Sequence, residues 1–207
     1  MADSLCDKSI TEFALDLASA APVPGGGGAA AVVGALAAAL GSMVGNLTVG
    51  KKKYAQNEPR LLELGARAEE LRRELLAQVE ADARAFEPLS RAYGIPKDTP
   101  GREEELEACL HAAAEPPMTI LRLSCEVAAL SEEYARLGSR LMISDAGCSA
   151  ALAVAAMKAA ALNVRVNTRL MRDRAYAAGL DRETDELVAQ NLPLGERVYD
   201  QVAAELS

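Results

Sequence analysis

Aromatic side chains and histidine are the two kinds of residue that this sequence has least of. Of its 207 residues, 3 % are aromatic, none is tryptophan, and the one histidine is His111. Strands favour β-branched and aromatic residues, so the composition argues against an all-β fold. A lone histidine also argues against a Ser-His-Asp triad or a His-rich metal site, and we expect His111 to be structural or on the surface.

Positive charge is scarce relative to negative charge, because 22 basic and 30 acidic residues leave a net charge of −8. This balance disfavours nucleic acid or an anionic membrane surface as a partner. The first residues lack the basic region and apolar run of a signal peptide, and the cysteines show neither a CxxC pair nor metal-ligand spacing. We therefore expect no metal, a cytoplasmic protein and reduced thiols at Cys6, Cys109, Cys125 and Cys148.

Alanine, which has the highest intrinsic helix propensity, takes the place of the missing aromatic residues. Ser9 and Glu12 have the spacing of a capping box, which predicts a short helix to about residue 20. Proline should interrupt a later helix at Pro116-Pro117 and could break the last one at Pro193. With no repeat and no linker, the pattern predicts one all-α domain, a helical bundle over residues 1–207. Its other helices are predicted over about 29–49, 57–93, 99–137, 144–172 and 184–205.

The second predicted helix contains no charged side chain. Its length would allow a membrane span, but alanine and glycine gain little in lipid, and Asn46 lies inside it. A central Ala/Gly-rich helix that is buried on all sides explains the composition better. Small residues at Gly34, Ala38, Gly41 and Gly45 would let neighbouring helices approach closely. A helix so enclosed in so short a chain predicts that a second subunit covers part of it, most simply in a two-fold homodimer.

Polar side chains on apolar helix faces are the most useful signals of function, because their burial costs free energy unless a partner satisfies them. Asp82 lies in the middle of an apolar stripe along the helix predicted over about 57–93. Its carboxylate should have a raised pKa or be held by a cation or by donors; the alternative is an ion pair at the edge of the stripe. Asp145, Asn163 and Asn167 share one face of a later helix. There Asp145 could instead stabilise the helix dipole, and the asparagines could be structural.

Glycine is concentrated just before the uncharged helix, at Gly25, Gly26, Gly27 and Gly28. Glycine permits close backbone approach to a ligand, and a helix N-terminus favours an anion. The run matches neither the Walker P-loop nor GxGxxG, so a flexible turn is the alternative.

Two further polar groups lie in or after the uncharged helix. Ser42 and Asn46 are one turn apart within it, and the run Lys51 to Lys53 follows it. The lysines are either ligand contacts or the solvated end of a helix, where cations are favoured.

Seven short stretches occur in this order along the chain: 21–27 (APVPGGG), 41–48 (GSMVGNLT), 50–54 (GKKKY), 82–86 (DARAF), 95–97 (IPK), 144–147 (SDAG) and 163–167 (NVRVN). As an ordered set, they resemble the cyclodeaminase/cyclohydrolase family of folate one-carbon enzymes. The resemblance covers residues 9 to about 170. The chain departs from the family at Gly28, where serine is common, and at Ser139-Arg140-Leu141, where an Asn-Pro pair is common. The first departure could remove a hydroxyl contact to the ligand.

The resemblance implies an all-helical, homodimeric enzyme that opens or closes a five-membered ring on tetrahydrofolate. As a methenyltetrahydrofolate cyclohydrolase it would add water to the methenyl carbon and leave a formyl group on N10. As a formiminotetrahydrofolate cyclodeaminase it would close the ring and release ammonia. A chain without a formiminotransferase domain favours the cyclohydrolase by analogy. Neither direction needs a metal or a redox cofactor. A catalytically silent folate-binding or scaffold dimer is the alternative from another class.

The roles of individual residues are also implied by the resemblance. Both reactions need proton transfers, and carboxylates are the available carriers where histidine is nearly absent. Either Asp82 or Asp145 is expected to carry the proton, and an aspartate charge should stabilise the methenyl cation. The expected substrate-binding residues are Gly25, Gly26, Gly27, Ser42, Asn46, Asn163 and Asn167, with Lys51, Lys97 or Tyr54 on a carbonyl or the glutamate tail.

Overall fold

The protein is helical over residues 4–207, the part of the chain that the structure, a computed structural model, describes. No strand occurs in this range, which confirms the predicted all-α class. Short 3-10 turns occur at Leu5–Asp7, Lys52–Asn57 and Arg140–Met142. The six α-helices are α1 (Ile10–Leu17), α2 (Gly26–Asn46), α3 (Glu58–Tyr93), α4 (Arg102–Leu137), α5 (Ile143–Thr168) and α6 (Arg174–Leu206).

Helix α2 contacts three others, α3, α4 and α5. Eleven of its 21 residues are buried, and ten of these are alanine or glycine. One side of the helix is left uncovered, where Leu36 is 52 % and Met43 is 37 % exposed. Complete burial of α2 therefore stays a prediction that depends on a second subunit.

Two glycines of α2 make room for the ring of Tyr134, a fully buried residue of α4. A Cβ on Gly41 would lie 2.8 Å from the ring, and a Cβ on Gly45 would lie 3.0 Å from it. Close-packed interiors have no space for such an overlap. The lack of side chains at these two positions therefore sets how closely α2 and α4 approach.

Helix α4 continues through Pro116 and Pro117, which corrects the expected interruption. Because proline has no N–H, Pro117 leaves the carbonyl oxygen of Ala113 without its helical donor. Asn167 of α5 supplies one, since its Nδ2 donates to that oxygen at 3.1 Å. A side chain of a neighbouring helix thus replaces the hydrogen bond that the proline removes.

The N-terminal capping box is confirmed, because the Ser9 side chain accepts from the Glu12 N–H and the Glu12 carboxylate accepts from the Ser9 N–H. The glycine run differs from expectation. Helix α2 begins at Gly26, so that most of the run forms its first turn and not a flexible turn.

The last helix is longer than expected. It begins at Arg174, well before residue 184, because the Asp173 side chain caps it by accepting from the Tyr176 N–H. It also continues through Pro193 without a break. Helix α5 correspondingly ends at Thr168, before the expected residue 172.

Two segments in the described range are long and apolar enough to cross a membrane, Gly26–Asn46 and Arg140–Thr168. About half of each is buried inside the bundle. Core helices of this composition meet the same criteria of length and hydropathy.

Gly41→Ala should destabilise the protein by about 1–3 kcal/mol, because the new methyl group overlaps the Tyr134 ring. Gly65→Ala in α3 is the matched control, since a Cβ there meets nothing within 4 Å. Removing that helical glycine should stabilise the protein by about 0.5–1 kcal/mol. Urea denaturation measures both free energies of unfolding. Equal effects of the two substitutions would contradict the tight packing at Gly41.

Candidate functional site

A cleft with a volume of about 180 Å³ opens at the N-terminus of α2. It lies where α2, α3, α4 and α5 come together, and the segment before α2 closes one side. Its lining consists of Pro22, Val23, Gly25, Gly26, Gly27, Asp82, Phe86, Ala113, Pro117, Asn163, Val166 and Asn167.

Asp82 of α3 is the one ionisable side chain in this lining, and it rests directly on the first turn of α2. The Gly28 N–H donates to its Oδ2 at 2.9 Å. A Cβ on Gly27 would lie 2.1 Å from Oδ1, so the contact requires glycine there. The free N–H groups and the dipole of a helix N-terminus favour a negative charge at this place.

Two effects act on the Asp82 carboxyl in opposite directions. Burial raises its pKa, and the hydrogen bond from the Gly28 N–H lowers it; burial is the larger effect, so the pKa is raised. Within the described residues Asp82 forms no ion pair, and one backbone donor, the Gly28 N–H, holds its carboxylate. The alternative of an ion pair at the edge of the apolar stripe is therefore not what the structure shows. The raised pKa expected for Asp82 agrees with its burial.

The two asparagines of α5 use their amide groups differently. Asn167 Nδ2 donates to the carbonyl oxygens of Ala113 and Asn163, at 3.1 and 2.9 Å. Both of its N–H groups are thus occupied, and only Oδ1 is left to accept from a ligand. Asn163 Nδ2 donates once, to the Ala159 oxygen at 2.9 Å, and its side chain lies against Gly26. Asn163 therefore keeps one donor and its oxygen available.

The other expected site residues lie elsewhere in the chain. The C-terminal end of α2 is 20 residues from its start, a distance of about 30 Å. Lys97 is exposed in the loop after α3 and does not line the cleft. Five of them lie at the far end of α2 or on the segments beside it; we call this set the far-end group: Ser42, Asn46, Lys51, Tyr54 and Asp145.

Contacts with the turn before α5 place the far-end group. Lys51 Nζ donates to Ser139 Oγ at 3.2 Å, and the Tyr54 hydroxyl accepts from the Arg140 N–H at 3.1 Å. Asp145 lies in the first turn of α5, about 27 Å along the helix from Asn163. One chain therefore does not bring the two candidate aspartates together. We call the expected site residues that line the cleft the cleft group: Gly25, Gly26, Gly27, Asp82, Asn163 and Asn167.

The apolar part of the cleft was not found from the sequence. Phe86 lies on the same apolar stripe as Asp82, where core residues are expected, and Pro117 was expected to interrupt its helix. Val166 lies one turn from Asn163 and Leu162, on the exposed side of α5. Apolar side chains carry no chemical signal that separates a wall of a cleft from the core, so only the packing identifies them.

Known proteins resemble this sequence over most of its length. A family model described as formiminotransferase-cyclodeaminase matches residues 9–186. A methenyltetrahydrofolate cyclohydrolase of Methylorubrum extorquens is 41 % identical over 205 residues, which are 97 % of this chain and 99 % of that protein. A formimidoyltransferase-cyclodeaminase of Mus musculus is 31 % identical over 178 residues. The match covers 84 % of this chain, but the chain spans only 33 % of that protein's length.

A solved structure has the same fold. The formiminotetrahydrofolate cyclodeaminase of Thermotoga maritima superposes with a TM-score of 0.89 at 32 % identity, over 97 % of this chain and 98 % of the other.

Gly27→Ala should displace the Asp82 carboxylate and destabilise the protein by about 1–3 kcal/mol. The neighbouring Gly28→Ala is the control, because a Cβ there makes only ordinary contacts at 3.6–3.9 Å. Urea denaturation and a carboxyl NMR titration of Asp82 check this. The Asp82 pKa should move towards its ordinary value in Gly27→Ala and stay raised in Gly28→Ala. The same pKa in both variants would show that the carboxylate does not rest on Gly27.

Proposed function

Because the chain belongs to the formiminotransferase-cyclodeaminase family, we propose that it is a methenyltetrahydrofolate cyclohydrolase of folate one-carbon metabolism. The observation that carries the proposal is the 41 % identity to a methenyltetrahydrofolate cyclohydrolase over nearly the full length of both chains. The cyclodeaminase reaction is the second candidate, because a formiminotetrahydrofolate cyclodeaminase shares the fold at a TM-score of 0.89.

The chemistry of ring opening makes a carboxylate useful in two ways. Water adds to the cationic methenyl carbon and loses one proton, which gives a neutral tetrahedral carbon with a hydroxyl group. The bond from this carbon to the other ring nitrogen then breaks, that nitrogen takes up the hydroxyl proton, and the formyl group is left on N10. Asp82 accepts the proton from the attacking water, and its negative charge stabilises the cationic carbon. Among the described residues that line the cleft it is the only ionisable one, so it is the available proton carrier there.

The α2 N-terminus orients Asp82 for this role. Oδ2 accepts the Gly28 N–H, while Oδ1 has no partner within the described residues and is available to water or substrate. Burial brings the pKa of Asp82 closer to neutrality, where a carboxylate exchanges protons more effectively. The Gly28 hydrogen bond acts in the opposite direction, because it favours the ionised form, and so it limits the rise in the pKa of Asp82.

Substrate binding in the cleft uses the remaining polar atoms and the apolar walls. Asn163, with one N–H and its oxygen available, hydrogen-bonds the amide-like edge of the pterin, and Asn167 Oδ1 accepts from it. Phe86 and Val166 contact the flat ring. Gly25, where a Cβ would meet nothing within 4 Å, leaves open space for the ring beside the start of α2.

The proposed reaction uses no metal and no redox cofactor, since adding water to a cationic carbon requires only proton transfer and electrostatic stabilisation. We further propose that the protein acts in the cytoplasm. All four of its cysteines are free, which suits a reducing compartment: Cys6, Cys109, Cys125 and Cys148.

A homodimer is proposed from the open sides of α2 and α5. These helices run antiparallel, since Gly26 lies beside Asn163 and the Ser149 hydroxyl donates a hydrogen bond to the Ala37 carbonyl oxygen. Helix α4 packs against both of them. Their open sides therefore face the same way and form what we call the α2–α5 face. It consists of Ala29, Val33, Leu36, Leu40, Met43 and Leu47 on α2, and Cys148, Leu152, Ala155, Ala159, Leu162 and Val166 on α5.

The spacing, charge and area of the α2–α5 face suit a second copy of the chain. Both rows repeat at alternating intervals of four and three residues, the spacing at which helices interlock. Neither row contains a charged residue. The face is about 27 Å long and two helices wide, roughly 500 Å² per copy. Two copies would bury about 1,000 Å², the lower limit for a specific interface.

The proposed function is tested by following the coloured methenyl group. A cyclohydrolase removes the absorbance of methenyltetrahydrofolate faster than the uncatalysed reaction, whereas a cyclodeaminase generates the absorbance from formiminotetrahydrofolate and releases ammonia. Binding of either folate without turnover would instead indicate a silent folate-binding dimer.

Asp82→Asn should lower kcat about 10²–10⁴-fold, because the amide cannot take up a proton. The fold should persist, since the amide oxygen can still accept from the Gly28 N–H. Glu87→Gln on the exposed side of the same helix is the control and should keep wild-type turnover. Wild-type turnover of a folded Asp82→Asn variant would exclude Asp82 as the proton carrier.

The pH dependence of kcat/KM should report the same group. A base acts only when deprotonated, so kcat/KM falls as the pH drops through the pKa of Asp82. Because that pKa is raised, the midpoint of this fall should lie above 3.8, the ordinary aspartate value. The residual activity of Asp82→Asn should lack this fall. A pH profile that is identical in the variant would assign the fall to another group.

Leu36→Glu should convert the protein to a monomer, because it places a charge in the middle of the α2–α5 face. Leu62→Glu in α3 is the control, since Leu62 is also an exposed leucine but lies outside that face. Light scattering should give twice the 21.7 kDa chain mass for the wild type and the control, and one chain mass for Leu36→Glu. A monomeric wild type at micromolar concentration would exclude the dimer.

A further inference from the structure

We propose that the active site is shared between two subunits, and that the far-end group of one chain completes the cleft of the other. Asn46 and Lys51 of the partner subunit are the residues expected at the substrate. This inference rests on the proposed function and on the proposed homodimer, and it adds the residues that the partner contributes.

The first argument is the size of the cleft. Its volume of about 180 Å³ is below the roughly 300–1,000 Å³ of sites that enclose a small molecule. A tetrahydrofolate carries a bicyclic ring, an aminobenzoyl group and a glutamate. The cleft of one chain can hold the ring, and the rest of the molecule must lie outside it.

The second argument is the charge of the cleft. Its lining contains Asp82 and no basic residue. The glutamate of a folate is anionic, and the chain as a whole carries a net charge of −8, so recognition of this part requires local cations. Lys51, Lys52 and Lys53 form such a group; all three are exposed, and none forms an ion pair within the described residues.

The third argument is that a single chain cannot unite the two groups. Gly26 and Asn46 begin and end the same rigid helix, about 30 Å apart. Residues that act on one reacting centre must come within hydrogen-bond distance of it or of the bound substrate. The far-end group therefore serves a different site, no site, or the cleft of another copy.

A two-fold axis near the middle of the α2–α5 face brings the groups together. If it is perpendicular to α2, the two copies of α2 run antiparallel, with Leu36 and Leu40 near the axis. Ala29, next to the cleft, then lies opposite Met43 and Leu47 of the partner subunit, and the far-end group borders the cleft.

Charge favours this arrangement over a parallel one. An axis along α2 would place the three lysines of one copy beside those of the other, with repulsion between like charges. The perpendicular axis places the lysines of one copy beside the Asp82 cleft of the other. It also sets the two helix dipoles antiparallel, which is favourable.

Mixed dimers test the shared site. In a dimer of Asp82→Asn with Lys51→Ala, a shared arrangement leaves one site that contains neither substitution. Equal mixing of the two chains by co-expression should recover about one quarter of wild-type activity, because half of the dimers are mixed and each has one intact site. Alone, Lys51→Ala and Asn46→Ala should each lower kcat/KM at least tenfold.

The matched control is the mixture of Asp82→Asn with Asn163→Ala. Both substitutions lie in the cleft group, so every site in the mixed dimer carries one of them and no activity should return. Recovery in the first mixture but not in the second supports the shared site. No recovery in the first, or wild-type activity of both Lys51→Ala and Asn46→Ala, overturns it.

Cross-linking keeps the proposal testable if neither folate substrate is turned over. In a chain with Cys6→Ser and Cys148→Ser, the pair Ala29→Cys and Leu47→Cys should form a covalent dimer with a short bismaleimide. Each single variant should stay a monomer on denaturing gels. Within one chain these positions are about 27 Å apart. Efficient cross-linking of Ala29→Cys alone would indicate that the two copies of α2 run parallel, and it would overturn the shared site. Lack of turnover by itself would count only against the proposed function.

Discussion

The contact between the Asp82 carboxylate and the first turn of α2 is the constraint on which the rest of the cleft depends. The carboxylate occupies the space in which a Gly27 side chain would lie, and it accepts the Gly28 N–H. The positive end of the helix dipole thereby has a negative charge beside it, while burial raises the pKa of the Asp82 carboxyl group. The result is an acid held in one orientation, with one oxygen available to water or substrate.

The same use of glycine and alanine shapes the remainder of α2. Where Gly41 and Gly45 face α4, the absence of side chains lets the Tyr134 ring pack against the backbone. The cost is that α2 has few large side chains with which to bury apolar surface. The larger ones that it has, such as Leu36 and Met43, point away from the bundle. The composition that allows close packing inside one chain thus leaves an uncharged face on its outside, which suits a second copy.

The distribution of charge connects this face to the chemistry. The described residues that line the cleft include one acidic side chain and no cationic one, and the three lysines lie at the opposite end of α2. A cationic reacting carbon requires the acidic side chain, and the anionic glutamate of a folate requires the lysines. An antiparallel dimer would meet both requirements at one site, because it would place the C-terminal end of α2 of one subunit beside the N-terminal end of α2 of the other.

Local rules were enough to predict the helical class, the capping box at Ser9, and Asp82 as a polar group out of place on an apolar stripe. Each of these depends on residues close in sequence and on the period of the helix. The same rules failed at Pro117, because the group that compensates for the proline, Asn167, lies fifty residues away on another helix. They also could not separate the cleft group from the far-end group, since the sequence identifies the members of both in the same way, as polar side chains among apolar ones. Which of them meet depends on the antiparallel packing of α2 and α5, and that is decided only when the helices assemble.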